Sequence, residues 1–305
     1  MVAFLQVVLA GLVTGSVYGL LALGIVLVYR TTGVLNFAYG AMAALSSCFM
    51  YILLTGPHLN FWLALLLTIL FALTLGVVLE RVFARPVLHA PIFTKAIATL
   101  ALALVLETIA QGIWPQLTSV QHFPTPFEGQ AMRIGGLYIS AIDIVVIAVT
   151  AVLMLGLNLF LTRTRAGIAM RAMADNIPAT RLMGAPVGRI FMVVWALSAL
   201  IAALSGILLA SQQQLIDVQY MDPILIPAFV GAVLGGLDSL PGALIGGILV
   251  GLANSILAYV LAGRTLGPLN IADPAMRDTL IFGGFVLVLL LRPQGLWGRA
   301  LLRRV

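Results

Sequence analysis

Nine blocks of mostly apolar residues follow one another along the 305-residue chain, separated by short polar segments. A helix crossing the hydrocarbon core of a bilayer needs about 20 such residues in a row. The backbone inside a bilayer must satisfy its own hydrogen bonds, which leaves helices or closed barrels. The apolar residues run in long blocks and do not alternate, which argues against a transmembrane barrel. Charged residues make up 9% of the chain and hydrophobic ones 62%, with a mean hydropathy of +1.15. Soluble domains carry about 25% charge, and this chain lacks the polar groups to cover a water-exposed surface. The same composition excludes disorder. The sequence therefore specifies an all-α polytopic membrane protein with 8 to 9 transmembrane helices.

The blocks predict helices over Phe4–Tyr29, Asn36–Leu54, Phe61–Phe83, Thr94–Trp114, Ile139–Thr162, Ile190–Gln212, Ile224–Gly235, Pro241–Leu261 and Arg277–Leu291. The seventh is short and stops at the Gly235-Gly236 pair. It either spans or re-enters. The first block has no basic residue before it and is too long for a signal-peptide core, so it reads as a retained helix. No polar segment is long enough for a soluble domain. The chain reads as one transmembrane domain, 1–305.

Fifteen of the 16 basic residues are arginine, and most lie between the apolar blocks. That is the distribution of cytoplasmic loop anchors, and it argues against nucleic acid as a partner. The densest stretch, 163–189, holds Arg163, Arg165, Arg171, Arg181 and Arg189. Placed in the cytoplasm, it puts Arg30, the Arg81–Lys95 segment and the C-terminal arginines on the same side. Nine crossings then leave the N-terminus outside, the C-terminus inside and 115–138 as an external loop.

Gly11, Gly15 and Gly19 recur every four residues, as do Gly231 with Gly235, Gly242 with Gly246, and Gly247 with Gly251. Small residues at that spacing let helix backbones approach closely. The same faces could separate during transport. Glycine and proline interruptions around 33–40 and 235–247 suggest an internal repeat with broken helices beside a pathway.

Little in the chain points to catalysis. There is one lysine, Lys95, with no glycine-rich stretch before it, so no Walker A phosphate loop is present. His58, His89 and His122 are isolated, which gives no metal-ligand spacing. Neither G-x-S-x-G nor H-E-x-x-H occurs. Cys48 is the single cysteine, so no disulfide forms within the chain. Metal, cofactor and catalytic residues are all expected to be absent.

Glu107 is the carboxylate deepest in a predicted span, about 18 Å along the helix from Lys95 at 1.5 Å per residue. A carboxylate at that depth should face the bundle interior, a wet cavity or a partner subunit. Packing, a place beside a substrate path and a proton relay all remain open for it. Asn36, Asn158 and Asn254 can each bond across helices. Asn36, Phe37, Tyr39 and Gly40 stand at the break before the second helix and are candidates to shape a path or its gate. Phe37 and Tyr39 are equally candidates for interfacial anchors.

The 163–189 segment is long for a helix–helix connection. Ile168, Met170, Ala172, Met173, Ile177 and Leu182 allow a short amphipathic helix. Asp175 and Asn176 interrupt it, and Pro178 can start a second helix. Such a helix would seat in a partner's groove or lie on anionic lipid.

Four segments carry a resemblance. They are TTGVLNFAYGAM (31–42), RTRAGIAMRAMADNIPATRLMGAPVGR (163–189), FVGAVLGGLDSLPGALIGGILVG (229–251) and LVLLLRPQGLWGR (287–299). In sequence, order and spacing they resemble the permease subunits of ABC importers for branched-chain amino acids, the LivH type. The resemblance implies one of two homologous permeases forming a translocation path. It implies two ATP-binding cassette subunits below, using ATP and Mg, and a periplasmic binding protein above. It also implies an inner-membrane location and a substrate among branched-chain amino acids, other amino acids or amides such as urea. The 163–189 loop then corresponds to the region that docks on the ATPases. It resembles the Glu-Ala-Ala consensus with a following glycine, aligned near Ala172, Ala174 and Gly184, with Arg171 before Ala172. Arg171, Ala172, Ala174, Asp175, Pro178, Leu182 and Gly184 are the coupling candidates. A stand-alone secondary transporter or channel, and a membrane scaffold without transport, are the rival readings.

Overall fold

The computed structural model describes residues 2–88, 90–262, 265–266, 269–270, 274–292 and 294–298. His89, Arg264 and the arginines at 299, 303 and 304 lie outside them, as do the sequence expectations that rest on them. Six helices among the described residues are long and apolar enough to cross a membrane. They are α1 (Val2–Thr32), α3 (Phe61–Leu79, continued to Val87), α5 (Ile92–Ile113), α6 (Ala141–Arg163), α9 (Val187–Gln213) and α11 (Leu240–Leu261). Three shorter apolar helices join them: α2 (Tyr39–Thr55), α10 (Asp222–Gly235) and α12 (Pro274–Leu291). Each apolar block read from the sequence thus holds a helix.

The remaining elements are small. A π-helical turn, Glu80–Ala84, and α4 (Arg85–Val87) extend α3. Helices α7 (Arg165–Asp175) and α8 (Ile177–Leu182) form a hairpin. Antiparallel two-stranded ribbons pair β1 (Gln121–His122) with β4 (Leu215–Ile216), β2 (Ala131–Ile134) with β3 (Leu137–Ser140), and β5 (Thr265–Leu266) with β6 (Leu269–Asn270). The 115–138 segment thus carries strand pairs and a 3₁₀ turn, Pro115–Thr118.

The chain divides into two compact units. One comprises Met1–Val26, Gly129–Ala148 and Ile226–Val305; the other comprises Leu27–Glu128 and Val149–Leu225. In the first unit, α1 lies against α11 through the repeated glycines. A side-chain carbon on Gly247 would strike the backbone of Gly19, and one on Gly251 would strike Gly15. The spacing of four that marks these residues in the sequence is the spacing of their contact. Gln6 anchors the N-terminal turns of α1 with a pair of bonds. Its side-chain amide donates to the Tyr138 carbonyl at 2.8 Å and accepts from the Tyr138 N–H at 2.9 Å.

In the second unit the core runs along α2, α3 and α9. Trp195 and Tyr39 are fully buried there. Gly76 on α3 lies so close to α9 that a side-chain carbon would sit 2.5 Å from the Trp195 carbonyl oxygen. Phe49 stacks on Phe71 with ring centroids 4.4 Å apart. Leucines 100 and 104 on α5 and Val152, Leu155 and Leu159 on α6 are exposed instead. Surfaces this apolar and this large are not left to water. They are the lipid-facing sides of spanning helices.

Candidate functional site

Helix α1 ends at Gly33, whose φ of +66° is the left-handed conformation glycine adopts freely. Its N–H bonds the Tyr29 carbonyl at 2.8 Å. The chain then runs through 34–38 before α2 begins, and this break is fastened from three directions. Asn36, fully buried, accepts the Ala38 N–H on its Oδ1 at 3.0 Å, and its Nδ2 lies 3.4 Å from the Met42 sulfur. Thr99 on α5 donates to the Leu35 carbonyl and accepts the Phe37 N–H at 3.3 Å. Tyr39, also fully buried, donates its hydroxyl to the Ser198 carbonyl on α9 at 2.9 Å. Gly40 packs against Leu225. The structure therefore gathers Asn36, Phe37, Tyr39 and Gly40 at one irregular turn. Their polar groups are spent on holding that turn. Burial of the Tyr39 ring rules out the interfacial-anchor reading for it.

Glu107 is not part of this gathering. It is half-buried on α5, eight residues beyond Thr99 or about 12 Å along the helix. The Asp222 carboxylate at the start of α10 is close enough to repel it. Among the described residues the fully shielded carboxylate is Glu80, 1% exposed, which the sequence reading passed over. Its two oxygens accept from the Arg85 Nε and Nη2 at 3.1 and 3.2 Å. The Arg85 guanidinium lies over Gly188 at the start of α9. The spacing of five between a glutamate and an arginine was the signal, visible only if α3 is extended past its apolar block.

A second polar patch was also missed. Gly206 on α9 faces α2, and a side-chain carbon there would lie 2.5 Å from the Ser47 hydroxyl and 2.9 Å from that of Tyr220. No local pattern marks a lone glycine in an apolar block as this contact. Among the described residues no group of three or more His, Cys, Asp or Glu side chains is placed to hold a metal ion.

The α7–α8 hairpin brings the other candidates together. Thr164 caps α7 by accepting the Gly167 N–H at 3.0 Å, and Asn176 caps α8 by accepting the Ala179 N–H at 2.9 Å. Asn176 is therefore the hinge between them. Pro178 sits in the first turn of α8, where its missing N–H costs nothing. Met170 and Met173 turn inward, 1% exposed each. Arg171, Ala172, Asp175 and Pro178 face outward, as do Leu182 and Met183, which are 89% and 88% exposed; Ala174 is half-buried. Gly184 follows with φ +81°. Ile168, Ala172, Ala179, Thr180 and Met183 line an open groove of about 610 Å³ along the hairpin.

Comparisons with known proteins agree on the family. The chain is 31% identical over 314 residues to the high-affinity branched-chain amino acid transport system permease protein BraD of Pseudomonas aeruginosa, covering 99% of this chain and 98% of that one. It is 28% identical over 318 residues to the LivH permease protein of Escherichia coli K12, with the same coverage. It is also 32% identical over 252 residues to a probable LivH permease of Methanocaldococcus jannaschii, covering 80% and 78%. Among solved structures, PsaBC from Streptococcus pneumoniae in complex with Fab matches with a TM-score of 0.50 at 14% identity, over 95% of this chain and 92% of that one. That likeness speaks to the fold alone. The family model described as branched-chain amino acid transport system / permease component matches residues 7–291. With its apolar helices and the hairpin among them, the chain is a multi-pass membrane permease and belongs to the family of branched-chain amino acid transport permease components.

Proposed function

We propose that this chain is the passive translocation subunit of an inner-membrane ABC importer for branched-chain amino acids. A periplasmic binding protein delivers the substrate. A second homologous permease completes the path, and two partner ATPases, holding ATP and Mg, drive it. The relatives named for branched-chain amino acid transport support the substrate class. The arginine distribution supports a cytoplasmic 163–189, an external 115–138, an outer N-terminus and an inner C-terminus.

The α7–α8 hairpin is the observation that carries the proposal. Two capped helices hold outward a groove and two nearly bare apolar side chains, Leu182 and Met183. An apolar groove on a rigid helical hairpin suits insertion into a partner protein. ATP-driven closure of the ATPases moves the hairpin. The partners shift the permease between outward-open and inward-open states only if they bind those states with different affinity. The α1–α2 break, held from α5 and α9, is the proposed gate element, and Glu107 the proposed path carboxylate.

The test is co-purification of the chain from native membranes, with and without Met183→Asp. The wild-type chain is expected to bring P-loop ATPases and a second permease, with ATPase activity stimulated by the binding protein. The variant is expected to purify folded and to lose the ATPases. Recovery of a lone chain in mild detergents, with ion-gradient-dependent uptake, would sink the proposal in favour of a secondary transporter.

A further inference from the structure

A second cavity opens on the other side of α8. Lys95 and Arg181 line it together with Leu88, Ile177, Leu182 and Phe191, in a volume of about 550 Å³. Lys95 is the only lysine of the chain, is half-buried, and belongs to the first turn of the spanning helix α5. Neither Lys95 nor Arg181 forms an ion pair among the described residues. Lys95 is half-buried and Arg181 exposed, so both stand ready to meet an anion at the mouth of the cavity.

The chemistry of the lining is two-sided. Two cations stand on walls that are otherwise largely apolar. Phe93, 80% exposed, and Ile92 and Ile97, 57% and 67% exposed, lie on the same end of α5. A soluble anion would use the cations and waste the apolar walls, whereas a peptide would need backbone partners. An amphiphile with a negative head uses both. Basic pockets at the membrane edge between spanning helices recognise acidic headgroups, and the volume is of the size that takes a small organic ligand.

We infer that the Lys95–Arg181 cavity is a binding site for an anionic phospholipid, its phosphate between the two cations and the start of its acyl chains along Leu88, Ile177, Leu182 and Phe191. A lipid there touches α8 and α5 together, so it sets the position of the hairpin against the spanning helices. Bilayer composition then tunes the coupling hairpin. The inference rests on reading α7–α8 as a membrane-edge hairpin, and its experiment reads lipid separately from partner docking.

The full chain is purified in mild detergent and its retained phospholipid measured by native mass spectrometry. Phosphatidylglycerol, phosphatidylcholine and inorganic phosphate are offered in turn. The wild-type chain is expected to retain phosphatidylglycerol in preference to phosphatidylcholine. Lys95→Gln/Arg181→Gln is expected to weaken that retention roughly twenty- to thirtyfold, from about fivefold per cation at a membrane surface. Arg133→Gln removes a cation from the 115–138 loop, away from the cavity, and should leave retention unchanged. Lys95→Arg/Arg181→Lys should fold and retain the lipid, which separates binding from misfolding. Three results would overturn the inference. They are equal retention by the double Gln variant, no preference over phosphatidylcholine, and displacement by inorganic phosphate at low concentration. Loss of the ATPases with phosphatidylglycerol retention intact would make the cavity a protein-docking surface and overturn it equally.

Discussion

The Tyr39 hydroxyl donates to the Ser198 carbonyl across 2.9 Å, joining the first turn of α2 to the middle of α9 inside a fully buried core. The ring supplies packing and the hydroxyl supplies direction. Tyr39→Phe is expected to cost about 1 kcal/mol and Tyr39→Ala about 3–5 kcal/mol. Thermal unfolding of the purified chain in detergent checks the ranking. Equal destabilisation by the two would mean that the ring contributes nothing.

Asn36 acts on its own backbone. Its Oδ1 accepts from Ala38 N–H, and Asn36→Ala is expected to lose about 1 kcal/mol, as for a lost helix cap. Asn36→Asp keeps an acceptor but buries a charge, which costs more. Asn36→Ser keeps an acceptor without charge and is expected to preserve folding and uptake of branched-chain amino acids. Uptake lost at unchanged stability in that variant would place Asn36 in contact with substrate.

Arg85→Ala strips the partner from a carboxylate that is almost fully shielded. A broken buried pair costs about 3–5 kcal/mol. Arg85 is itself 46% exposed, so water replaces part of the loss and the low end is expected. Replacing Glu80 by Gln in the same chain should restore most of the stability. Arg85 also lies over Gly188 at the start of α9, two residues from the end of the 163–186 connection. In the complex proposed above, Arg85→Ala should therefore also lower ATPase stimulation by the binding protein, measured after reconstitution.

Gly247→Val places a branched side chain against the Gly19 backbone. Backbones cannot repack as side chains do, so the upper part of the 1–3 kcal/mol range for overpacking is expected. Gly283→Val is the control, since nothing lies within 4 Å of a side-chain carbon there. Size-exclusion profiles and melting of the two variants compare them directly. Equal profiles would show that α1 and α11 separate at no cost.

The apolar blocks made the helices legible, and the glycine spacing of four made the α1–α11 contact legible. The ends of helices were less so, because hydrogen bonds set them. Helix α1 continues to Thr32 since the Thr31 and Thr32 hydroxyls bond back to the Leu27 and Val28 carbonyls. Helix α2 starts at Tyr39, not Asn36, since Asn36 spends its side chain on the turn before it. Helix α3 runs on past Phe83 because Glu80 and Arg85 neutralise each other. In the α7–α8 segment the interruption at Asn176 was readable, for an asparagine before a first-turn proline is a capping pattern, whereas Asp175 stays within α7. Which methionines turn inward was not, since a short amphipathic helix can be docked on either side.

The glycine seam between α1 and α11 also sets a timetable for synthesis. Gly15 and Gly251 meet in the finished protein but are 236 residues apart in the chain. At about 5–20 residues per second, α1 waits on the order of 10–50 s after translation before its partner emerges. Through that interval its bare backbone stripe faces lipid or the insertion machinery, whereas 27–128 and 149–225 already find their partners in each other. A ribosome stalled before Gly251 leaves the glycine face of α1 without its partner, while Gln6 already has Tyr138.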